Sequence, residues 1–283
     1  MTDLPRRVRL VILDLDGVVY RGDELVPGAR ELVAWLHERG TAVRFATNNS
    51  MVTREGYVDR LGGMGIATAV DEIVTSTSAT VEHLRLHAPE VRTVLGIGAD
   101  GMRQELVAAG LDVVMTDAAS PPERPGGPLD RGFDAVVVGL HPGLDYGELA
   151  IAMSAVADGA RLMATNADAR YPTPAGFLPG AGAIVAALAT ATGVTPEVIG
   201  KPSPAMFSAI VASSGVPAGE TVVVGDNPHA DIAGAHRAGC AAILVLTGVA
   251  DAALAATLTG ELAPDAIAAG PDEVRTLLEG RVS

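Results

Sequence analysis

Runs of aliphatic residues alternate along the chain with stretches in which apolar residues recur at helical spacing. The aliphatic runs predict strands near residues 8–16, 41–49, 91–98, 111–115, 133–140, 198–201, 221–226 and 241–248. The helical stretches, bounded by glycines and capping residues, predict helices near residues 29–39, from 53 onward, and near 100–109, 145–157, 204–214 and 229–238. Strands that alternate with helices are typical of crossover units, so the pattern predicts an α/β fold with a parallel sheet.

Two stretches interrupt this alternation. Residues 116–132 are rich in proline and glycine and are interpreted as a long surface loop. Residues 161–182 begin as a strand and are predicted to continue as a long irregular loop, a kind of segment that is often functional inside a compact domain. The residues around these two stretches have the pattern of a small α/β unit of their own.

The composition narrows the classes of protein that this pattern allows. The chain has 283 residues, of which 48% are apolar and 3% aromatic, so its core is expected to be aliphatic. A net charge of −14 repels nucleic acid backbones and anionic membranes, and neither is expected as a partner. No stretch approaches the ~20 apolar residues of a membrane span, and Asp14 and Asp16 break the apolar run that a signal peptide would need. Cys240 is the only cysteine, which fits a reducing cytoplasm.

Two carboxylates, Asp14 and Asp16, close the first aliphatic run. Residues two apart on a strand point to the same face, so the two side chains are expected to lie together. Such a pair suits a divalent cation with oxygen ligands, or a division of labour between a nucleophile and a general acid/base. The alternative is a strand that simply ends in polar residues before the turn at Gly17.

Three further strands are predicted to end in polar residues. Thr47 and Asn48 could hold phosphoryl oxygens, or they could form a turn or cap the next helix. Lys201 is either an anion-binding lysine or a solvated surface residue. Asp226 and Asp231 are either metal ligands or an ordinary strand end and helix cap. In a parallel sheet these strand ends meet at one edge, which is where open sheets bind ligands.

In chain order, the motifs DLDGVV, TNN, KP and GDxxxxD resemble the four motifs of the haloacid dehalogenase (HAD) superfamily. TNNS, TNAD with PGAG downstream, GKPSP and VLTGV are similar to its NagD/4-nitrophenylphosphatase-like branch, subfamily IIA, over nearly the whole chain. The resemblance implies a Rossmann-like core with a parallel sheet and an inserted, smaller α/β cap domain. It places the catalytic core at residues 1–81 and 196–283 and the cap at residues 82–195.

The family pattern, carried over residue by residue, also implies roles in catalysis. Asp14 becomes the nucleophile. Asp16 becomes the acid that protonates the leaving oxygen and then the base that activates water. Thr47, Asn48 and Lys201 would bind phosphoryl oxygens.

The same resemblance implies a Mg²⁺ cofactor. Its ligands would be Asp14, the backbone carbonyl of Asp16 and Asp226, with Asp231 as a ligand or a support. The implied reaction is hydrolysis of small phosphomonoesters, such as sugar, glycerol, glycolate or nucleotide phosphates, through an aspartyl-phosphate. An acid at position 16 supports ester hydrolysis, because a poor alkoxide leaving group needs a proton. The natural substrate and the existence of a homo-oligomer are left open.

Specificity is expected to lie in the cap, because the core groups recognise only the phosphoryl group and the metal. The segment NADARYPTPAGF carries Arg170 and Tyr171, a cation and an amphipathic ring. In the branch that the chain resembles, the matching segment reaches toward the core site, so these two residues are candidate substrate contacts. The alternative is that they only pack the cap.

Three other functions remain to be weighed. The segment GIGADG, with Gly96, Gly98 and Gly101, matches the dinucleotide fingerprint, and Asp117 lies near the position of a ribose-binding acid. The same segment in a cap would simply form a tight turn. A catalytically silent binding module on the same fold is the second alternative. A phosphotransferase that passes the phosphoryl group to an alcohol is the third, and a product assay with candidate acceptors would distinguish it.

Overall fold

The structure of the protein is a computed structural model that describes residues 4–119, 127, 129–173 and 176–282. The strands, numbered along the chain, are β1 Leu10–Asp14, β2 Tyr20–Arg21, β3 Glu24–Leu25, β4 Ala42–Thr47, β5 Ile73–Thr75, β6 Thr93–Ile97, β7 Asp112–Met115, β8 Ala135–Val138, β9 Arg161–Ala164, β10 Arg170–Thr173, β11 Gly176–Pro179, β12 Glu197–Val198, β13 Thr221–Gly225, β14 Ala241–Val245 and β15 Ala266–Ala268. The α-helices are α1 Ala29–Glu38, α2 Arg54–Gly63, α3 Ser76–His87, α4 Asp100–Ala108, α5 Tyr146–Ala157, α6 Ala181–Thr192, α7 Pro204–Ser214, α8 Ala233–Arg237, α9 Ala252–Ala255 and α10 Pro271–Leu278.

The chain forms two compact units. Unit 1 comprises Met1–Thr47, Arg54–Val74 and Lys201–Ser283, and unit 2 comprises Asn48–Thr53 and Thr75–Gly200. Each unit contains its own parallel sheet, which confirms the predicted α/β class. The unit boundaries at 74/75 and 200/201 lie several residues from the predicted core and cap limits at 81/82 and 195/196, and the assignment of catalytic and cap roles stays a prediction.

Unit 1 is built on a six-stranded sheet in the order β15-β14-β13-β1-β4-β5. β1 is central, and it pairs in parallel with β13 on one side and with β4 on the other. Its five residues, LVILD, are all buried, as expected for a strand covered on both faces. The surrounding core is aliphatic with a few large rings, including Phe45 and Tyr57. This arrangement brings the carboxyl ends of β1, β4 and β13 side by side.

Unit 2 has a five-stranded parallel sheet in the order β12-β9-β8-β6-β7. Numbered within the unit, this order is 5-4-3-1-2, the doubly wound order whose switch point lies between its first and third strands, β6 and β8. The irregular loop predicted for residues 166–182 is wrong in part, because β10 and β11 pair there as an antiparallel hairpin. Two short strands with few aliphatic residues do not stand out in a search for apolar runs.

None of the helices in the described part of the chain is long and apolar enough to cross a lipid bilayer. The predicted surface loop at 116–132 contains the 3₁₀ turn Thr116–Ala118, and residues 120–126 and 128 of that loop lie outside the described residues.

Candidate active site

Asp14 is the last residue of β1 and is held at the carboxyl edge of the unit 1 sheet. Its side chain is largely buried, and one of its oxygens accepts a hydrogen bond of 2.5 Å from the Lys201 ammonium. Burial raises the pKa of Asp14, as do the negative charges of Asp231 and Asp226, while Lys201 acts in the opposite direction. A buried carboxylate at this position needs nearby positive charge to remain ionised.

Lys201 reaches this edge by a route that differs from the prediction. The short strand before it, β12, pairs with β9 in the sheet of unit 2, so Lys201 does not end a strand of the unit 1 sheet. Its side chain nevertheless lies buried in unit 1 and donates to both Asp14 and Asp231, the latter at 2.7 Å. Burial alone would lower the pKa of Lys201, but the two carboxylates raise it, and the ammonium form is retained. Of the two alternatives for Lys201, the solvated surface lysine is therefore wrong, and its role in binding an anion stays a prediction.

Asp226 and Asp231 complete the acidic cluster. Asp226 follows β13, and Asp231 lies in the π-helical turn Pro228–Ile232 that precedes α8. One carboxylate oxygen from each of Asp14, Asp226 and Asp231 lies within 4.8 Å of the others. Burial, and then the charge of Asp231, raise the pKa of Asp226 to about 6.

The chain backbone presses closely against Asp226. A Cβ on Gly17, whose φ is +80°, would lie 2.3 Å from the Asp226 carboxylate, and a Cβ on Gly248 would be closer still. The neighbouring Val249 N–H donates to the same carboxylate at 2.7 Å. Glycine is therefore required at positions 17 and 248 for the backbone to approach this side chain.

The donor set of the cluster fits a hard divalent cation. Three buried carboxylates offer oxygen ligands, and Lys201 supplies a single positive charge among them. Mutual repulsion in a poorly hydrated site is what a bound Mg²⁺ or similar ion would offset. Asp231 already accepts hydrogen bonds at both oxygens, from Lys201 and from the Asn227 N–H. This favours a supporting role for Asp231 over direct ligation.

Asp16 lies beyond the end of β1, and its environment differs from that of Asp14. Asp14 is buried at the end of β1, whereas Asp16 lies outside the strand and is exposed, so the alternation of a strand does not determine how the two side chains are arranged. Crowding by the surrounding protein raises the pKa of Asp16, whereas Arg60 and Lys201 act to lower it. A carboxyl that holds its proton to a higher pH than usual and that remains accessible is suited to donating that proton.

Thr47 and Asn48 are adjacent in the chain, yet they belong to different units. Thr47 ends β4, is buried in unit 1 and forms a hydrogen bond with the Tyr57 side chain. Asn48 is the first residue of the short segment Asn48–Thr53 that belongs to unit 2. Its side-chain amide donates to the Asp168 carboxylate at 3.1 and 3.2 Å.

Arg170 and Tyr171 lie in β10 of the unit 2 hairpin. Arg170 is exposed, and its guanidinium carbon lies 5.7 Å from the centre of the Phe177 ring on β11. Tyr171 is half-buried, and Phe177 is 69% exposed. The hairpin thus presents a cation beside an accessible ring. Its role in substrate binding stays a prediction.

The glycines of GIGADG have a packing role. A Cβ on Gly96 or Gly98 would lie within 2.6 Å of the side chain of Met115 or Met102, respectively. A Cβ on Gly101 would lie 2.2 Å from the main-chain oxygen of Met51. Gly96 lies in β6 and Gly101 in α4, so only Gly98 lies in the connection where the sequence suggested a tight turn. On the side that a Cβ of each glycine would face, the space is therefore filled by the protein itself.

Sequence reasoning missed two residues near the site. Tyr57 on α2 contacts Thr47, and Arg60, one helical turn later, influences the charge state of Asp16. The guanidinium of Arg60 also lies 4.1 Å from the Tyr20 ring centre and donates to the carbonyl of Gly22. The only available signal was their spacing of three on a helix, which by itself is uninformative.

Comparison with known families agrees with this geometry. Residues 11–112 match the family described as haloacid dehalogenase-like hydrolase, and residues 198–273 match the family described as HAD-hydrolase-like. An acid sugar phosphatase of Staphylococcus epidermidis is 35% identical over 238 residues, which cover 84% of this chain and 86% of that protein.

Solved structures give the same picture. A p-nitrophenyl phosphatase from Archaeoglobus fulgidus superposes with a TM-score of 0.84 at 29% identity, covering 96% of this chain and 100% of the other. A glycerol phosphate phosphatase from Mycobacterium tuberculosis, in complex with magnesium, superposes with a TM-score of 0.81 at 32% identity, covering 95% of this chain and 76% of the other.

Proposed function

The chain belongs to the haloacid dehalogenase-like hydrolases, and from that membership we propose that it is a magnesium-dependent phosphatase that hydrolyses small phosphomonoesters through an aspartyl-phosphate. Phosphatase activity on small phosphate substrates follows from its relatives, which are named as phosphatases of sugar phosphate, glycerol phosphate and p-nitrophenyl phosphate. The metal and the covalent intermediate are the finer parts of the proposal.

One observation supports these finer parts above all others. Asp14, Asp226 and Asp231 form a buried acidic cluster in unit 1, and Lys201 is bound to two of its members. A purely structural core would not collect three carboxylates around one ammonium, because unpaired buried charge is strongly destabilising. The arrangement is suited to holding a phosphoryl group and a cation against a nucleophilic carboxylate.

In the first step, a carboxylate oxygen of Asp14 attacks phosphorus, and the bond from phosphorus to the ester oxygen breaks. Asp16 gives its proton to the departing alkoxide, so the alcohol leaves neutral. Lys201 stabilises the negative charge on the phosphoryl oxygens and, with Thr47 and the segment at Asn48, orients them. The product is a phosphorylated Asp14 and an ionised Asp16.

In the second step, Asp16 removes a proton from water as the water oxygen attacks phosphorus. The bond between phosphorus and Asp14 breaks, which releases inorganic phosphate and restores the Asp14 carboxylate. Asp16 is left protonated, ready for the next cycle. The raised pKa of Asp16 supports both tasks, since an acid and base poised nearer neutral pH transfers protons more effectively in each direction.

Asp14, the main-chain carbonyl of Asp16 and Asp226 would hold the magnesium ion, with Asp231 supporting them through Lys201 and Asn227. When bound, the ion neutralises phosphoryl charge and aligns the group with the nucleophile. The core residues are blind to the rest of the substrate, so we place specificity in unit 2 at Arg170 and Tyr171. The names of the relatives span several substrates, and the proposal remains at the level of small phosphomonoesters.

Hydrolysis of p-nitrophenyl phosphate by the metal-stripped protein tests the proposal. We expect no activity after chelation, recovery with Mg²⁺ and poor recovery with Ca²⁺, whose larger and looser coordination spoils in-line geometry. Asp226→Asn should raise the Mg²⁺ concentration for half-maximal activity by about 10-fold or more. Hydrolysis that resists chelation would contradict the metal assignment, and failure to hydrolyse any phosphomonoester would contradict the function.

A further inference from the structure

The segment Asn48–Thr53, which follows β4, is hydrogen-bonded to the rest of unit 2, and several of these hydrogen bonds involve Asn48. The main-chain oxygen of Asn48 accepts two hydrogen bonds, from the Ser76 hydroxyl at 2.8 Å and from the Asn166 side-chain amide at 2.7 Å. Ser76 and Asn166 are both buried. The side chain of Asn48 in turn donates to Asp168. Both the main chain and the side chain of Asn48 are therefore fixed.

The loop that contacts Asn48 is itself held rigidly. The side chain of Asn166 accepts a hydrogen bond from the N–H of Asp168 at 3.1 Å. Because the same side chain also donates to the main chain of Asn48, it connects Asp168 with Asn48. The main-chain oxygen of Asp168 accepts from the Gly182 N–H at the start of α6, at 3.0 Å. A Cβ on Gly180 or Gly182 would lie 2.1–2.3 Å from the carbonyls of Asp168 and Ala167. Hydrogen bonds to its main chain thus hold Asp168 in place, while its carboxylate accepts from the Asn48 amide.

The charge of Asp168 determines which part of Asn48 can serve a phosphate. Both carboxylate oxygens of Asp168 lie within 3.2 Å of the Asn48 amide nitrogen. A phosphate dianion at that nitrogen would meet a second anion at close range, which is unfavourable. The Asn48 side chain is therefore suited to tethering, which leaves the main chain at Thr47 and Asn48 to meet the phosphoryl oxygens.

We propose that Asp168 is a positioning residue for phosphoryl binding: it anchors the side chain of Asn48, with Asn166 holding the main chain, so that the Thr47–Asn48 segment keeps its phosphate-binding conformation. The inference rests on the proposed function, in which this segment holds the phosphoryl group. It gives the TNAD motif of unit 2 a task that is independent of the leaving group. Loss of the tether should therefore affect every phosphomonoester equally.

Two substitutions of similar size separate the hydrogen bond from the charge. Asp168→Asn keeps an oxygen that can accept from Asn48, whereas Asp168→Leu keeps the shape and accepts nothing. We expect Asp168→Leu to weaken inorganic phosphate binding to the magnesium-loaded protein by about 5-fold, the scale of one hydrogen bond. It should lower kcat/KM for p-nitrophenyl phosphate by a similar factor, and Asp168→Asn should retain most of both. Asp158→Ala, which removes an exposed carboxylate at the end of α5, is the charge control and should change neither.

A double-mutant cycle with Asn48→Ala tests whether Asp168 acts through Asn48. Asn48→Ala alone should cost about 5-fold, and adding Asp168→Leu should cost nothing further, because the tether is already gone. A combined loss near 25-fold, or no loss from Asp168→Leu, would overturn the inference. Calorimetric titration with phosphate reads the coupling without turnover, so absence of hydrolysis by the unmodified protein would count against the proposed function alone.

Discussion

β1 in unit 1 and β6 in unit 2 are both five-residue aliphatic strands with a parallel neighbour on each side. Beyond their carboxyl ends the two sheets differ sharply. β1 ends in Asp14, beside Asp226 and the ammonium of Lys201. β6 leads instead to Gly98 and to Gly101 in the first turn of α4, and the protein packs closely against both glycines.

The edge of the unit 2 sheet is occupied by the chain itself. Ser50 is buried and accepts a hydrogen bond from the Leu140 N–H just after β8, at 3.1 Å. The carbonyl of Met51 lies against Gly101 at the start of α4. These contacts fill the switch point between β6 and β8, where a doubly wound sheet would otherwise bind a ligand. The same edge of the fold therefore carries the candidate active-site side chains in one unit and holds a chain segment in the other, so the fold alone does not determine its use.

The largest effect should come from Asp14→Asn. The change keeps the shape of the side chain and removes the attacking charge, so hydrolysis of p-nitrophenyl phosphate should fall by roughly 10⁴-fold or more, the scale for a lost nucleophile. The matched change in unit 2 is Asp117→Asn, at the exposed carboxylate that follows β7, and it should leave activity intact. Full activity in a folded Asp14→Asn protein would mean that Asp14 is not the nucleophile. The edge of the unit 1 sheet would then differ from that of unit 2 in composition but not in chemical role.

Lys201→Met should have the next largest effect, and it acts on stability as well as on activity. It leaves Asp14 and Asp231 buried without their ammonium partner, which should lower the free energy of unfolding by about 3–5 kcal/mol in the absence of metal. Denaturant unfolding measures this loss. Mg²⁺ should raise the melting temperature of the variant more than that of the unmodified protein, because the ion supplies part of the missing charge. An unchanged unfolding curve would mean that the cluster is far better hydrated than its burial indicates.

Gly101→Ala tests the contact that fills the unit 2 edge. The added methyl group would lie 2.2 Å from the Met51 carbonyl, so the chain must shift, at a cost of about 1–3 kcal/mol. Gly62→Ala in α2 is the control, since its methyl would meet nothing within 4 Å and alanine favours a helix by about 1 kcal/mol. Denaturant unfolding of both variants gives the comparison. Equal stability of the two would show that the segment from Asn48 to Thr53 is not seated tightly on α4.

The smallest predicted effect concerns Arg170 and Tyr171, replaced separately by alanine. Each should lower kcat/KM for the best metabolite in a substrate screen by about 10-fold, equivalent to ~1.4 kcal/mol. Hydrolysis of p-nitrophenyl phosphate should change much less, because the leaving group of that ester has few atoms with which these side chains could form specific contacts. An equal loss on both substrates would place the effect in folding or in a step common to all substrates, and the specificity assignment would be wrong.

Local patterns predicted much of unit 1. The uninterrupted aliphatic runs of β1 and β13, each closed by a carboxylate, are sufficient to single out Asp14 and Asp226 as candidate site residues. Such strands can be recognised from the sequence because burial on both faces excludes polar residues until the strand ends. The grouping of their ends follows from parallel pairing alone.

The same local patterns could not predict which strands and side chains pair over long distances in the sequence. Nothing local to β12 indicates that it joins β9 and leaves Lys201 to reach unit 1 by its side chain. The tether between Asn48 and Asp168 spans 120 residues and has no periodic signal. The segment GIGADG matched the dinucleotide fingerprint for a related reason. A glycine permits the close approach of a phosphate, but it equally permits the close approach of a main-chain carbonyl such as that of Met51.

The division of unit 1 into separated segments has a consequence for how the protein is made. β1 pairs with β13 more than two hundred positions later, and the Asp14–Lys201 ion pair spans 187. At a synthesis rate of about 5–20 residues per second, one edge of β1 waits roughly 10–40 s for its partner strand to be translated. Most of unit 2 is contiguous and is complete before then, so we expect it to fold first. The acidic cluster is then expected to assemble only after unit 2, because a nascent chain stalled before Thr221 carries a complete second unit but still lacks Asp226 and Asp231.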